Sequence, residues 1–596
     1  MDLYKRPSWA ASLALASALL VAACSGSGNG NGNDTRTEST LVVAVNAGSR
    51  QSVTWEGVEY SPDRFSTGGT ASSTTADIGG VDEQGQTLFQ TERYGTYTYD
   101  IPVTDATYDI ELHFVEMFQN AAGARSFTVT VEDEAAVTEL DLFASVGLNN
   151  TYSAVVNNIR VNDGYLTISL ETLIDNATLS AFAVYSVDGE LREVEEDPAK
   201  PPVDLSFEPG QASPENTGAD CDVAALPQFA DLPNLTNLPD PFTGLDGERL
   251  TQKDQWRCRR QEMHRLAERY VYGFKPAKPA SVSGSLDGDT LTVTVEHEGE
   301  SITFNATVDL PEGEGPFPAM INVGAGGLTL GAERLKEEGI AIIYFNNDEI
   351  GAQPFGQPRH ESQGQGLFYE LYGSDHSAGA LMAWAWGASR LIDALEGIEN
   401  SVIDPAALGV TGCSRYGKGA LAIGAFDQRI AVTIPVEAGT GGVALMRSAA
   451  DEGGQSPISA YGEQPWLSWV FEPFTETIDR LPLDQHMVGA LVAPRPLLLL
   501  ENPHIEWLAP VAGHTSALAI AEVYSAFGAD DNLVYDSDVE DAAHCALKAE
   551  HEQLVREQLR AHLLGNGEAQ GAITPHANAQ GTLDGWRDWE TPKLDD

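Results

Sequence analysis

Apolar residues fall along this chain in two rhythms. Between residues 41 and 187 they come in short runs, at 41–45, 98–103, 108–114, 126–131, 166–170 and 179–187, broken at close intervals by turn residues. Short strands spaced this way predict an all-β sandwich. Beyond Cys221 strand-like runs alternate with longer helix-like stretches. Residues 255–270 read as a helix, and 281–310 alternate as strands do. The runs 319–323 and 340–345 are continuously apolar, which suits inner strands of a parallel sheet. Residues 377–395, with Trp384 and Trp386, read as a buried helix. Residues 430–436 and 496–500 add strands, and 550–564 supply a closing helix. This alternation implies a doubly wound α/β sheet.

Two stretches fit neither rhythm. Residues 25–33 are rich in Gly, Ser and Asn and predict a flexible tether. Residues 189–220 carry Glu, Asp, Pro and Gly with little apolar content and predict a linker. Ahead of the tether, Lys5 and Arg6 precede an apolar segment, 10–23, of signal-peptide length and too short to span a membrane. It ends Leu20-Val21-Ala22-Ala23-Cys24, which resembles a bacterial lipobox. That resemblance implies that Cys24 becomes a lipidated N-terminus. The protein is then expected to be an exported bacterial lipoprotein, held at the cell envelope by acyl chains alone. The expected layout is a lipoprotein-type signal peptide over 1–24, a tether over 25–40, a β-sandwich over 41–188, a linker over 189–220 and an α/β domain over 221–596.

Charge narrows the function. Lys and Arg number 34 against 88 Asp and Glu, a formal net charge of −54. Nucleic-acid binding needs a basic footprint and is excluded as a class. The same charge disfavours adsorption to anionic membranes and speaks for a strongly solvated surface.

The candidate chemistry centres on Gly412-Cys413-Ser414-Arg415-Tyr416-Gly417. An apolar run, 406–410, leads in and a helix-like run, 419–426, leads out. Strand, sharp turn and helix is the setting that lifts a serine to the rim of an α/β-hydrolase sheet. The spacing Gly-x-Ser-x-x-Gly is one residue longer than the usual elbow. A serine hydroxyl needs a base to take its proton and an acid to orient that base. In this fold they follow in the order acid, then histidine. His544 sits after the last strand-like segment and before the closing helix, where the fold delivers the base. For the acid, Glu437 after one strand and Glu501 or Glu506 after a later one all remain open. Cys413 precedes the serine and Cys545 follows the histidine. Four cysteines beyond the leader allow three pairings. Cys413–Cys545 and Cys221–Cys258 are predicted, the first tying the nucleophile turn to the base loop.

From Pro241 onward the chain resembles the glucuronoyl esterases, carbohydrate esterase family 15. The resemblance is carried by Asp254 to Glu262, Ser377 to Ala380, Ala383 to Gly387, Val410 to Ala422, Pro465-Trp466, Ala493 to Arg495, Glu506 to Leu508 and His544-Cys545. It implies an α/β-hydrolase three-layer sandwich with a parallel-rich central sheet. It also implies a Ser414, Glu437 and His544 triad, with Arg415 stabilising the oxyanion. Lys418, Gln455, Glu463 and Trp507 fall on the family's sugar-contacting positions. Tyr416 departs from the Asn usual in fungal members. The implied substrate is an ester between 4-O-methyl-glucuronate of glucuronoxylan and a lignin alcohol. No metal or other cofactor is expected, and the chain is expected to act as a monomer. Residues 41–188 resemble the malectin domain, on Val45 to Gly48, Leu88 to Tyr94, Tyr99 to Pro102, Leu112 to Glu116 and Leu140 to Phe143. Phe118 and Asp175 match its sugar site by position, while Met117 replaces an aromatic. A glycan is therefore an expected second ligand.

Overall fold

The computed structural model describes residues 39–49, 52–132, 134–192, 209–324, 328, 330–354, 362–475 and 477–596. The leader, Cys24 and most of the tether lie outside them.

The N-terminal unit is a sandwich of two antiparallel sheets. One runs Thr40–Asn46, Ala181–Ser186, Thr107–Val115, Thr151–Arg160; the other is built on Thr91–Pro102, which pairs with Tyr165–Ile174 and Ser66–Ser73. Alternation puts Phe127, Val129 and Val131 of Ser126–Val131 inside, with Tyr99 and Ile101 of the same sheet and Ile110 and Leu112 of the facing one.

The second unit is organised by a ten-stranded sheet. Its strands are β1 (Ser281–Asp287), β2 (Thr290–His297), β3 (Glu300–Asp309), β4 (Phe317–Val323), β5 (Ala341–Phe345), β6 (Ile403–Cys413), β7 (Ile430–Val436), β8 (Leu497–Leu500), β9 (Leu533–Asp536) and β10 (Ala572–Thr574). The spatial order is β1-β2-β3-β5-β4-β6-β7-β8-β9-β10. The first three strands are antiparallel, and β4 through β10 run parallel. Inner strands are apolar throughout because both faces are covered. Leu497 and Leu499 of β8 enter one core, while Leu498 and Leu500 enter the other. The first core holds helices α1 (Ala380–Gly397) and α2 (Arg415–Phe426); the second holds Val555 and Leu559 of the closing helix. This is the three-layer α/β-hydrolase arrangement, with α3 (Pro457–Glu463), α4 (Pro510–Phe527) and α5 (Ala549–His562) following.

Part of the stretch read as linker belongs to this core. Glu215 lies 2.6 Å from Lys275 Nζ and 2.5 Å from Arg390 Nη2. Burial pushes the Glu215 carboxyl up, but these cations and Arg429 outweigh it and hold it at about 2.

The two units meet on α3. Strand Ser66–Ser73 packs against this helix, and Ile458 joins the sandwich core. Tyr165 Oη donates to Glu472 Oε1 across the same seam at 2.6 Å. Ile458→Asp places a carboxylate in this apolar contact and is expected to destabilise the chain by about 2 kcal/mol. Calorimetry checks it; an unchanged melting profile would mean that the seam carries no stability.

Candidate active site

Strand β6 ends at Cys413 and α2 begins at Arg415, leaving Ser414 alone in the turn. Its backbone sits at φ 60°, ψ −125°, which an L-residue adopts only under constraint. The constraint is close packing. A Cβ on Gly412 would lie 2.4 Å from the Tyr416 carbonyl oxygen, and one on Gly417 2.6 Å from that of Val436. Glycine at both positions lets the helix begin hard against β6 and β7. The Ser414 N–H is used structurally, donating to Val436 O at 2.9 Å.

Glu437 follows β7 directly, with φ 47°. Its Oε2 accepts from His544 Nδ1 at 2.6 Å and from the Cys545 N–H at 2.8 Å. With Nδ1 engaged as donor, Nε2 is left as the acceptor. The other oxygen, Oε1, takes Asn502 Nδ2 at 3.3 Å and faces Lys548 Nζ at 3.6 Å. Burial pushes the Glu437 carboxyl up; the His544 and Cys545 hydrogen bonds and the nearby cations outweigh it and hold it below the usual carboxylate range.

The rival acids stand elsewhere. Glu501 is buried behind Glu437 and accepts the Ala438 N–H at 3.4 Å. Burial, then the Glu437 charge, push it up to about 8, so it carries a proton at neutral pH. Glu506 is exposed on the turn Glu506–Leu508, beside Gly453.

Both predicted disulfides are present. Cys413–Cys545 joins the nucleophile strand to the base loop across a Cα–Cα distance of 5.7 Å, and Cys221–Cys258 spans 5.4 Å. Cys413, Glu437, His544 and Cys545 converge within 4.8 Å. They do not make a metal site, because the two sulfurs are bonded to each other and Glu437 holds the imidazole.

Ser414 and His544 open on one cavity of about 180 Å³. Arg415, Lys418, Gln455, Glu463 and Trp507 line it too. Arg415 is the first residue of α2, where backbone N–H groups favour negative charge. Its guanidinium lies 4.0 Å from Glu463 and 5.6 Å over the Trp466 ring. Gln455 Nε2 donates to Glu463 Oε2 at 2.6 Å. Trp507 is 56% exposed, its ring 5.7 Å from that of His544, so an indole face is left for a ligand. Tyr416 is accommodated by Gly324, which has no side chain to meet its ring.

Lys418 is buried, and its Nζ donates to Ala438 O and Thr440 O at 2.6 Å each. One of its three N–H groups is left for the cavity. Burial lowers the ammonium to about 8, although Glu463 and Glu501 oppose the shift. As pH rises through 8 the cation and that spare donor are lost. The apparent KM is therefore expected to rise several-fold between pH 7 and 9. Lys418→Met should raise KM about 10-fold at pH 7 and abolish the alkaline rise. A flat wild-type KM profile would contradict this.

In the sandwich, Phe118 is exposed and Gln119 donates to Asp175 at 2.8 Å. Both expected residues thus border one edge, beside the buried Arg125–Glu116 pair. Met117 is half-buried and packs partly into an apolar cluster.

Asn502 and Lys548 escaped the sequence reading. One available signal was that Lys548 caps the N-terminus of α5, where a cation opposes the helix dipole.

A strained serine beyond the central strand, with a carboxylate-oriented imidazole on the same cavity, defines a serine hydrolase of the α/β-hydrolase class. Residues 293–528 match the family described as glucuronyl esterase, fungi, and residues 41–188 match the malectin domain. A 4-O-methyl-glucuronoyl methylesterase of Thermothelomyces thermophilus is 42% identical over 363 residues, 60% of this chain and 88% of that protein. Its namesake from Hypocrea jecorina is 39% identical over 383 residues, 63% and 80% of the two chains. Among solved structures, the glucuronoyl esterase catalytic domain from Hypocrea jecorina matches with a TM-score of 0.58 at 38% identity, over 62% of this chain and all of that one. A Sporotrichum thermophile glucuronoyl esterase mutant in complex with methyl 4-O-methyl-β-D-glucopyranuronate matches at 0.58 and 39%, over 63% and 100%. The chain belongs to the glucuronoyl esterase family, and is a carboxylic ester hydrolase with an N-terminal malectin domain.

The expected placement as a bacterial envelope lipoprotein is corrected by these relatives, which are fungal esterases. No helix among the described residues is long and apolar enough to cross a membrane.

Proposed function

We propose that this enzyme cleaves the ester between 4-O-methyl-D-glucuronate of glucuronoxylan and a lignin alcohol through an acyl-enzyme on Ser414. The observation that carries the reading is the 2.6 Å contact of Glu437 with His544, in the cavity that also holds Ser414. His544 Nε2 takes the Ser414 proton as the oxygen attacks the uronate carbonyl. Negative charge develops on that carbonyl oxygen, facing Arg415 and the start of α2. The C–O bond to the alcohol breaks and His544 returns the proton to the leaving oxygen. Water, deprotonated by His544, then attacks the acyl carbon and frees the uronic acid. Lys418, Gln455 and Glu463 offer donors and acceptors for ring hydroxyls, and Trp507 an aromatic face for the sugar.

Parallel turnover of benzyl glucuronate and acetylated xylan tests the reading. Efficient release of benzyl alcohol with little acetate is expected; preference for the acetyl ester would replace it with an acetyl esterase. For the sandwich, Phe118→Ala in the full chain is expected to weaken retention on glucan gels. Equal retention would remove the proposed sugar contact.

A further inference from the structure

Lys548 sits where a helix N-terminus ordinarily carries Ser, Thr, Asp or Asn. Its side chain is nonetheless buried, so it is held there by something other than the helix. The Nζ donates to Asp541 O and to Ala543 O, at 2.6 Å each. Both carbonyls belong to the loop that ends in His544. The same nitrogen faces Glu437 Oε1 at 3.6 Å. Asn502 repeats the connection, reaching Glu437 Oε1 at 3.3 Å and Asp541 O at 3.4 Å.

We propose that Lys548 is a positioning residue of the esterase: it clamps the base loop onto Glu437 and shares that carboxylate's charge with His544. The proposal rests on the assignment of Glu437 and His544 as acid and base.

The argument is one of charge balance in a confined space. Around the Glu437 carboxylate stand His544 and Lys548 from the base loop and α5, Glu501 from the end of β8, and His551 from α5. Lys418 and Arg415 lie farther along the cavity, and the Asp541 carboxylate is 3.8 Å from Lys548. Burial and the Glu437 charge push the Glu501 carboxyl up to about 8, which weakens its field at neutral pH. The Glu437 charge is therefore divided between an ammonium and an imidazole. With the ammonium removed, the undivided charge favours a proton on His544, and a protonated imidazole cannot accept the Ser414 proton.

The experiment is the pH dependence of kcat/KM on benzyl glucuronate for wild type, Lys548→Met, Lys548→Gln and Lys548→Arg, with Glu437→Ala in parallel. In Lys548→Met the acid limb should move to higher pH by about half to one unit, with activity at pH 6 falling by at most about 3- to 10-fold and much of it recovered at pH 8. Lys548→Gln keeps donors for the two carbonyls but no charge, and should show the same displacement. Lys548→Arg should return the limb toward wild type. An unmoved limb in Lys548→Met and Lys548→Gln overturns the proposal, whatever happens to melting temperature or overall rate. If Glu437→Ala keeps full activity, the assignment of the acid fails instead. If Glu437→Ala is inactive while the limb stays fixed, only the role of Lys548 fails.

Discussion

Ser414→Ala is expected to lower benzyl glucuronate turnover by about 10⁴-fold or more while leaving the chain folded. The hydroxyl is the only nucleophile that the turn presents, since the neighbouring Cys413 sulfur is consumed in its disulfide. Alanine removes the oxygen without disturbing Gly412 or Gly417, whose missing side chains permit the turn. Residual rate should match hydrolysis assisted by Arg415 and the cavity alone. Glu437→Ala should cost about 10³-fold or more, because it takes from His544 its 2.6 Å partner. Glu501→Ala and Glu506→Ala should cost far less, having no contact with the imidazole to lose. Purified variants assayed side by side decide this. Full activity in Ser414→Ala would end the acyl-enzyme mechanism, and a larger loss in Glu501→Ala would move the acid to β8.

Removing the Cys413–Cys545 bridge is the second large effect. The bond closes a loop with a sequence separation of 132 residues, for which chain entropy alone gives about 5 kcal/mol of stabilisation. The double change Cys413→Ala, Cys545→Ala should lower the urea midpoint accordingly. Activity should fall as well, since the bridge fixes the place of Cys545, whose backbone N–H donates to Glu437 and which stands beside His544 at φ 59°. Denaturation and turnover measured on the same preparation check both. An unchanged midpoint would mean that the loop is ordered in the unfolded chain.

Much of this was legible before any coordinates. The Ser126–Val131 and Ile430–Val436 strands match their apolar runs residue for residue, because a buried strand must be apolar at every inward position. Strand Ser66–Ser73 was missed, since Ser, Thr and Gly show no alternation and its place is held by pairing with Thr91–Pro102. The helix of residues 255–270 was read as continuous, whereas Trp256–Ala267 gives way to a wider turn over Glu268–Tyr272. At the site, the serine turn betrays itself through its glycines and the base through its neighbouring cysteine. The acid does not, because Glu437 and Glu501 both end parallel strands and only three-dimensional reach separates them. Lys548 works through backbone carbonyls, and its one mark in the sequence is a cation placed at the start of the closing helix.

The joint on α3 bears on how a polymer would be handled. Ile458 pins the malectin unit to the helix that ends in Glu463, and the Tyr165–Glu472 bond pins it to the turn Trp469–Phe474 that follows. The distance from the Phe118 rim to the reacting serine is thus set by the scaffold and not by a swinging arm. Under the proposed sugar contact at Phe118, a xylan long enough to reach both places is expected to gain a second foothold that a clipped oligosaccharide lacks.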